Sequence, residues 1–277
     1  MSDQHQSEPA PEPSVKIYQT RSGPMLGLVT DQYITPALDL YGEYCPEEGR
    51  VLRQMIKRGM TVMEVGANMG SHSVDMARAC APGPFFAFEP QPRLFQILCA
   101  NLALNDVANA FAYPDAVGEA EGEAVVPLID YAQSGNFGGI GLEAAGTRGW
   151  KVRVRTLDDM KLPTLHVLKV DVEGFEPQVI RGARETIGRC RPIIYIENDR
   201  RAQQQELISL IAELGYRMYW HTPRLFGPDN FNRCDRNIYG NIVSVNMLCV
   251  PNESGTQVSD AAPIDPDNWT CPVMLQR

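Results

Sequence analysis

Three features of the 277-residue sequence predict an α/β fold with a mostly parallel sheet and helices on both of its faces. Short apolar runs alternate with stretches of helical periodicity, the pattern of a parallel sheet whose crossovers are helices. The run Thr61-Val62-Met63-Glu64-Val65 leads straight into Gly66-Ala67-Asn68-Met69-Gly70 and then a helix start, as a central strand and a tight turn would. Five of the expected strands end at or near an acid: Glu64, Glu89, Asp115, Asp171 and Glu197. In such sheets ligands bind beyond the carboxyl ends of the strands, so these five acids mark one candidate site.

In chain order, residues 1–14 are polar, proline-rich and acidic and read as a disordered tail. Residues 15–250 are expected to form the single domain, with a helical N-terminal extension to about residue 58. Within that extension, residues 47–58 place Val51, Leu52, Met55 and Ile56 on one face. After the strand at 61–65, Ser71 is the expected N-cap of the next helix. The run Phe85-Phe86-Ala87-Phe88 is the second strand, and residues 92–105 carry Leu94, Ile97, Leu98 and Leu102 at helical spacing. A third strand is expected over 110–113 and an added one over 123–128. Residues 131–149 hold six glycines and read as a mobile cover. Residues 151–155 alternate polar and apolar, as an edge or one-sided strand does. Core strands follow at 165–171 and 192–197, with helices at 176–189 and 203–214. The last two strands are expected at 217–220 and 246–250, around a long loop at 221–245. Residues 251–277 read as a second polar tail that Trp269 could dock.

Composition narrows the function. The net charge of −9 and pI near 5.0 argue against general affinity for nucleic acid. No apolar run reaches membrane-spanning length, and the N-terminus lacks the apolar core of a signal peptide. Seven cysteines without Cys-x-x-Cys spacing read as reduced thiols, which suits the cytoplasm. A homo-oligomer is compatible with the sequence.

The glycine turn selects among ligands. An acid inside the strand disfavours phosphate, and no Gly-x-x-x-x-Gly-Lys-Ser/Thr occurs. The dinucleotide fingerprint Gly-x-Gly-x-x-Gly is also missing. S-adenosylmethionine fits better, being phosphate-free and cationic at its sulfonium and ammonium. Glu64 is expected to face that cationic end, and Glu89, at the next strand end, to grip the ribose diol. Asp115 and Ala116 either frame the adenine or form an ordinary strand exit.

Together these stretches resemble the FkbM family of S-adenosylmethionine-dependent methyltransferases. The matching segments are 62–70, Phe88-Glu89-Pro90, Thr156-Leu157-Asp158-Asp159 and, most diagnostic, Leu168-Lys169-Val170-Asp171-Val172-Glu173-Gly174-Phe175-Glu176 with Gly182-Ala183. The resemblance implies a class I, Rossmann-like methyltransferase fold with a seven-stranded sheet whose last strand is antiparallel. It implies O-methylation of a hydroxyl on a small molecule or glycan; the acidic charge separately argues against a nucleic-acid partner. By position Glu64, Gly66, Asn68, Gly70 and Glu89 would hold the cofactor, with Ala67, Ser71 and His72 in the same turn, and Asp171 would lie beside the methyl donor.

An alcohol acceptor must lose its proton, and Asp171 is the first candidate base, with Glu173 and His221 behind it. A divalent ion such as magnesium, held by Asp171, Glu197 and Asn198, is the second and less favoured route. A non-catalytic cofactor-binding protein, a nucleic-acid methyltransferase and a nicotinamide oxidoreductase are the competing readings. The last two are disfavoured by charge, by missing motifs and by the loop pattern.

Overall fold

A computed structural model describes residues 14–142, 148–259 and 261–273. The expected N-terminal tail lies outside them except for Ser14. The domain opens with a hairpin of β1 (Val15–Thr20) and β2 (Gly23–Leu28), so the extension expected to be helical begins with strands. Gly23, at φ +108°, turns the chain, and the Thr20 hydroxyl donates to the Gly23 carbonyl at 2.6 Å. Helices α1 (Ile34–Tyr41) and α2 (Pro46–Met55) follow. On α2, Leu52 is buried as expected, but so is Glu48.

The central sheet begins with β3 (Val62–Val65), α3 (Ser73–Cys80), β4 (Phe85–Phe88), α4 (Pro92–Leu104) and β5 (Ala110–Tyr113). A small sheet then forms from β6 (Ala116–Val117), β7 (Gly122–Pro127) and β8 (Gly149–Arg155). The main sheet resumes with β9 (Val167–Val170), α5 (Glu176–Arg181), α6 (Arg184–Cys190), β10 (Ile193–Glu197), α7 (Gln204–Glu213), β11 (Tyr216–His221), β12 (Asn246–Pro251) and β13 (Ala262–Ile264).

The main sheet has the order β13-β11-β12-β10-β9-β3-β4-β5. Strands β5, β4, β3, β9 and β10 run parallel, and β12 is antiparallel to both of its neighbours. That is the expected seven-stranded class I arrangement with one strand added. The addition, β13, comes from the segment read as a polar tail. Ile264 pairs with Met218, Trp269 packs against Trp220 and Cys271 is buried. The apolar residues scattered through this segment are too few to show a period, yet they cover an otherwise open sheet edge.

Register places the site. Val65 is level with Phe88 and with Val170, and Val170 with Ile196. The next residues, Gly66, Glu89, Asp171 and Glu197, therefore leave the sheet at one height. Strand alternation sends Met63, Val65, Leu168 and Val170 to one face, against Val179, Ile187, Leu207 and Ile211. Val62, Ala87, Val167 and Tyr195 face the other side, against Val74, Ala77, Leu94 and Leu98. Glu64 and Lys169 share that second face and are direct cross-strand partners.

Residues 151–155 follow the one-sided alternative rather than the edge: they lie in the middle of the small sheet, and they alternate because Val152 and Val154 pack on Ala116, Ala124 and Val126 while their neighbours face out. The helix expected over 176–189 is broken at Gly182-Ala183. A side chain at Gly182 would come within 1.9 Å of the Gly118 carbonyl, so this glycine seats α5 against the small sheet. Asp158 then caps α6, accepting from the N–H groups of Glu185 at 3.1 Å and Thr186 at 2.7 Å. Among the described residues no helix is long and apolar enough to cross a membrane. Replacing Asp158 with Ala removes the cap and is expected to lower stability by about 1 kcal/mol, measured by urea denaturation.

Candidate functional site

A cavity of about 390 Å³ opens at the carboxyl ends of the parallel strands. Of the residues expected to hold a cofactor, Glu64, Gly66, Ala67, Asn68, Ser71, His72, Glu89, Asp115, Ala116 and Asp171 all line it. Gly70 does not. It sits at φ +83° with Leu98 2.9 Å from where a side chain would start, and its N–H donates to the Ala67 carbonyl. Its role is to shape the turn.

The turn is built by close approach. Gly66 has φ +86°, and a Cβ there would lie 1.7 Å from the Asp171 backbone oxygen. The N–H groups of Gly66 and Ala67 both donate to the Phe88 carbonyl at 2.9 Å. Asn68 adopts φ +51°, which its short amide tolerates. Its N–H donates to Glu89 Oε2 at 2.8 Å, and the Gln91 N–H donates to Glu89 Oε1 at 2.8 Å. Glu89 thus ties the turn after β3 to the end of β4 while still lining the cavity. Burial raises its pKa to about 7, against the pull of those two N–H groups.

Ser71 is not the helix cap. Helix α3 starts at Ser73, whose hydroxyl donates to Glu64. Glu64 is 2% exposed and meets Lys169 Nζ at 3.4 Å. The same ammonium lies 3.2 Å from Asp171 and 3.9 Å from Glu48. Burial opposes the charge on Lys169, but Asp171, Glu64 and Glu48 together hold its pKa above the usual value. Burial raises Glu48 to about 7, although Lys169 pulls it down. His72 sits 3.8 Å from Glu48, yet burial, then Lys169 and Arg53, lower its pKa to about 3, so the ring is neutral.

Asp115 is held by Arg155 at 2.6 Å, and that guanidinium lies over the Tyr113 ring. From the glycine-rich cover, Asn136, Gly138, Gly139, Ile140 and Leu142 line the cavity. It is tied down where Gly135 exchanges hydrogen bonds with Thr30 and Gln32, and where Gln91 Nε2 donates to the Phe137 carbonyl at 2.7 Å. Residues 143–147 of the expected cover lie outside the described residues. The long loop contributes Leu225, Val243 and Ser244.

The candidate bases divide. Asp171 and Glu173 line the cavity; His221 does not. Its Nδ1 is 2.7 Å from the Tyr195 hydroxyl, and burial lowers its pKa. Arg200 pairs with Glu173, whose pKa burial, followed by Asp171, raises to about 8. Of the expected metal ligands, Asp171 and Glu197 line the cavity, while the Asn198 amide turns to Met247 Sδ at 3.3 Å. Glu173 stands in its place: one oxygen each of Asp171, Glu173 and Glu197 lies within 4.8 Å of the others.

Lys169, Glu48 and Arg200 also line the cavity and were given no role from the sequence. A signal existed for Lys169: one charge inside each of two neighbouring apolar strands, Glu64 in β3 and Lys169 in β9, invites pairing. Glu48 offered none, since an acid in the first turn of an amphipathic helix reads as a solvated dipole partner.

Removing the ammonium would strand three acids. Lys169→Met is expected to lower stability by about 3–5 kcal/mol at pH 8, and by less at pH 6, where Glu48 takes up a proton; denaturant titrations at both values check this. In the wild type, Glu48 and Glu89 keep protons in the fold that the unfolded chain releases above about pH 4.5. Their contribution therefore falls as pH rises from about 4.5 to 7. The Glu89→Gln variant should show a shallower loss of melting temperature across that window.

The sequence matches the family model described as the methyltransferase FkbM domain over residues 64–218. No curated protein matches it. Among solved structures it is similar to a methyltransferase FkbM from Methylobacillus flagellatus, at 14% identity over 72% of this chain and 50% of that one, TM-score 0.45. A precorrin-6y C5,15-methyltransferase from Geobacter metallireducens is 13% identical over 74% of this chain and 88% of that one, TM-score 0.47. Trm5b from Pyrococcus abyssi is 12% identical over 87% and 57%, TM-score 0.48. The family match covers more than half of the chain and runs from the end of β3 through β4, β9 and β10 with the acids at their ends, so the chain belongs to the FkbM family of S-adenosylmethionine-dependent methyltransferases.

Proposed function

We propose that this methyltransferase transfers the methyl group of S-adenosylmethionine to a hydroxyl of a small molecule or glycan. The observation that carries the reading is that Glu64 and Glu89, on adjacent strands, open into one cavity together with Asp171. Glu89 would take the ribose hydroxyls with the lone pairs left beside its two backbone partners. The donor's cationic end would meet the cluster of Glu48, Glu64 and Asp171, which a single ammonium neutralises only in part. Because Ser73 and Lys169 already engage Glu64, that carboxylate acts on the donor through its field, and Asp171 is the closer contact. Asp115 and Ala116 would border the adenine.

Charge supports a neutral or cationic acceptor. Among the described residues, the cavity is lined by eight carboxylates but only two cationic side chains, Lys169 and Arg200. With no cation bound, a phosphate-rich acceptor would meet repulsion at the reacting end. Leu225, Val243 and Ser244 of the long loop and Tyr33 and Tyr44 of the N-terminal segment would form the acceptor side. Aromatic faces and a hydroxyl suit a sugar or polyketide-like ring. Asp171 would accept the hydroxyl proton as the oxygen attacks the methyl carbon and the carbon–sulfur bond breaks, leaving S-adenosylhomocysteine.

Calorimetry is expected to show binding of S-adenosylhomocysteine by the wild type and at least about tenfold weaker binding by Glu89→Ala; unchanged affinity would remove the ribose assignment. Radiolabelled methyl transfer should occur to a hydroxyl acceptor within a panel of sugars and polyols, and Asp171→Asn should lower kcat by about 100-fold or more. Transfer confined to RNA would overturn the acceptor class.

A further inference from the structure

We infer that Asp171, Glu173 and Glu197 form a binding site for one hard divalent cation of the magnesium class on the acceptor side of the cavity. Oxygen ligands of a single such ion lie about 2.0–2.6 Å from it, so any two are at most roughly 4–5 Å apart. The three carboxylates already meet that limit, with ligand oxygens within 4.8 Å of one another. They come from two adjacent strand ends: Asp171 and Glu173 follow β9, and Glu197 closes β10.

A group of acids would not by itself require an ion. The second observation is at Glu197. Its Oε2 is shielded from solvent and has no hydrogen-bond partner among the described residues, although the residue lines the cavity. A buried carboxylate oxygen left without a donor is costly, and such atoms are almost always satisfied by protein, water or an ion. The neighbouring cations leave room for one. Lys169 engages Oδ2 of Asp171 and Arg200 engages Oε2 of Glu173, so each uses one oxygen of a two-oxygen group. Neither reaches Glu197 within ion-pair distance. An all-carboxylate donor set selects a hard ion over zinc or copper.

The backbone is arranged to bring the three together. Glu173 and Gly174 take φ values of +55° and +95°, folding the segment after β9 back toward β10. Glu176 Oε1 accepts the Val172 N–H, and both of its oxygens accept the Gly174 N–H, which fixes that fold. Asn198, one residue past Glu197, points the other way because successive side chains of a strand end alternate in direction. When bound, the ion would lower the pKa of an acceptor hydroxyl coordinated to it. That role rests on the hydroxyl-transfer reading; the cation site itself does not.

The test is a Mn²⁺ titration of the full chain, followed by the electron paramagnetic resonance of the free ion, with S-adenosylhomocysteine present. One saturable site is expected, with the affinity for Mn²⁺ reduced at least about tenfold in Glu197→Gln and in Glu173→Gln. Asp199→Asn, which alters another cavity carboxylate outside the three, should change it less than about threefold. Circular dichroism melts establish that each variant is folded. Absence of saturable binding, or equal losses in Asp199→Asn and Glu197→Gln, would overturn the site. Calorimetry with S-adenosylhomocysteine separates this failure from that of the methyltransferase reading: Mn²⁺ can bind where the nucleoside does not, and the reverse.

Discussion

A lysine ammonium buried on the inner face of a parallel sheet is the constraint around which this cavity is arranged. Lys169 is 3% exposed, and an unpaired charge at such a depth is not tolerated. Three elements answer it: Glu64 from the neighbouring strand, Glu48 from the second helix and Asp171 from the end of its own strand. The register of β3 against β9 makes the first of these pairs unavoidable, since Glu64 and Lys169 are directly opposed. A one-residue slip of either strand would send its charged residue to the opposite face, into the apolar layer of Leu207 and Ile211, and leave the other without its partner. The charges therefore help define the alignment that brings four strand ends to one height.

The same cluster explains why the N-terminal segment belongs to the site. Helix α2 shows an ordinary amphipathic pattern, and nothing in its periodicity distinguishes Glu48 from Glu47. In the fold Glu48 is buried against Lys169 and His72, whereas Glu47 stays outside within 3.9 Å of His221. With Tyr33, Ile34 and Tyr44 also lining the cavity, the segment before the sheet closes its side. The glycine-rich segment closes another, held by Gln91 and by the turn after β2.

Legibility followed the physics of each feature. That Gly66, Glu89 and Asp171 share one cavity could be read because parallel sheets open clefts where their apolar runs stop, and because a left-handed turn needs glycine. The seven-strand count and the antiparallel last strand were readable from the family likeness, and strand existence from apolar runs. The hairpin over residues 15–28 was not, since Gly-Pro-Met-Leu-Gly-Leu has neither a clean alternation nor a strong turn pair. Strand β13 was hidden for a related reason: three residues are too short for a period and pair only because β11 leaves an edge. Asn198 looked like a ligand from its place beside Glu197, but side-chain direction, not sequence adjacency, decides which of two neighbours enters the cavity.

Glu89 and Glu48 sit where burial alone would neutralise them, and the fold loses stability as each ionises. A chain selected only for stability would carry apolar or amide groups there, since buried carboxylates add little that packing cannot supply. Their presence is understandable if a cationic ligand restores what solvent no longer provides. Local conflicts of this kind belong at functional sites, where binding repays them. On the proposed placement of the donor, the acids at the carboxyl ends of β3, β4, β9 and β10 would act as one device: a negative field that is costly in the empty fold and would become favourable once a sulfonium lies across the strand ends.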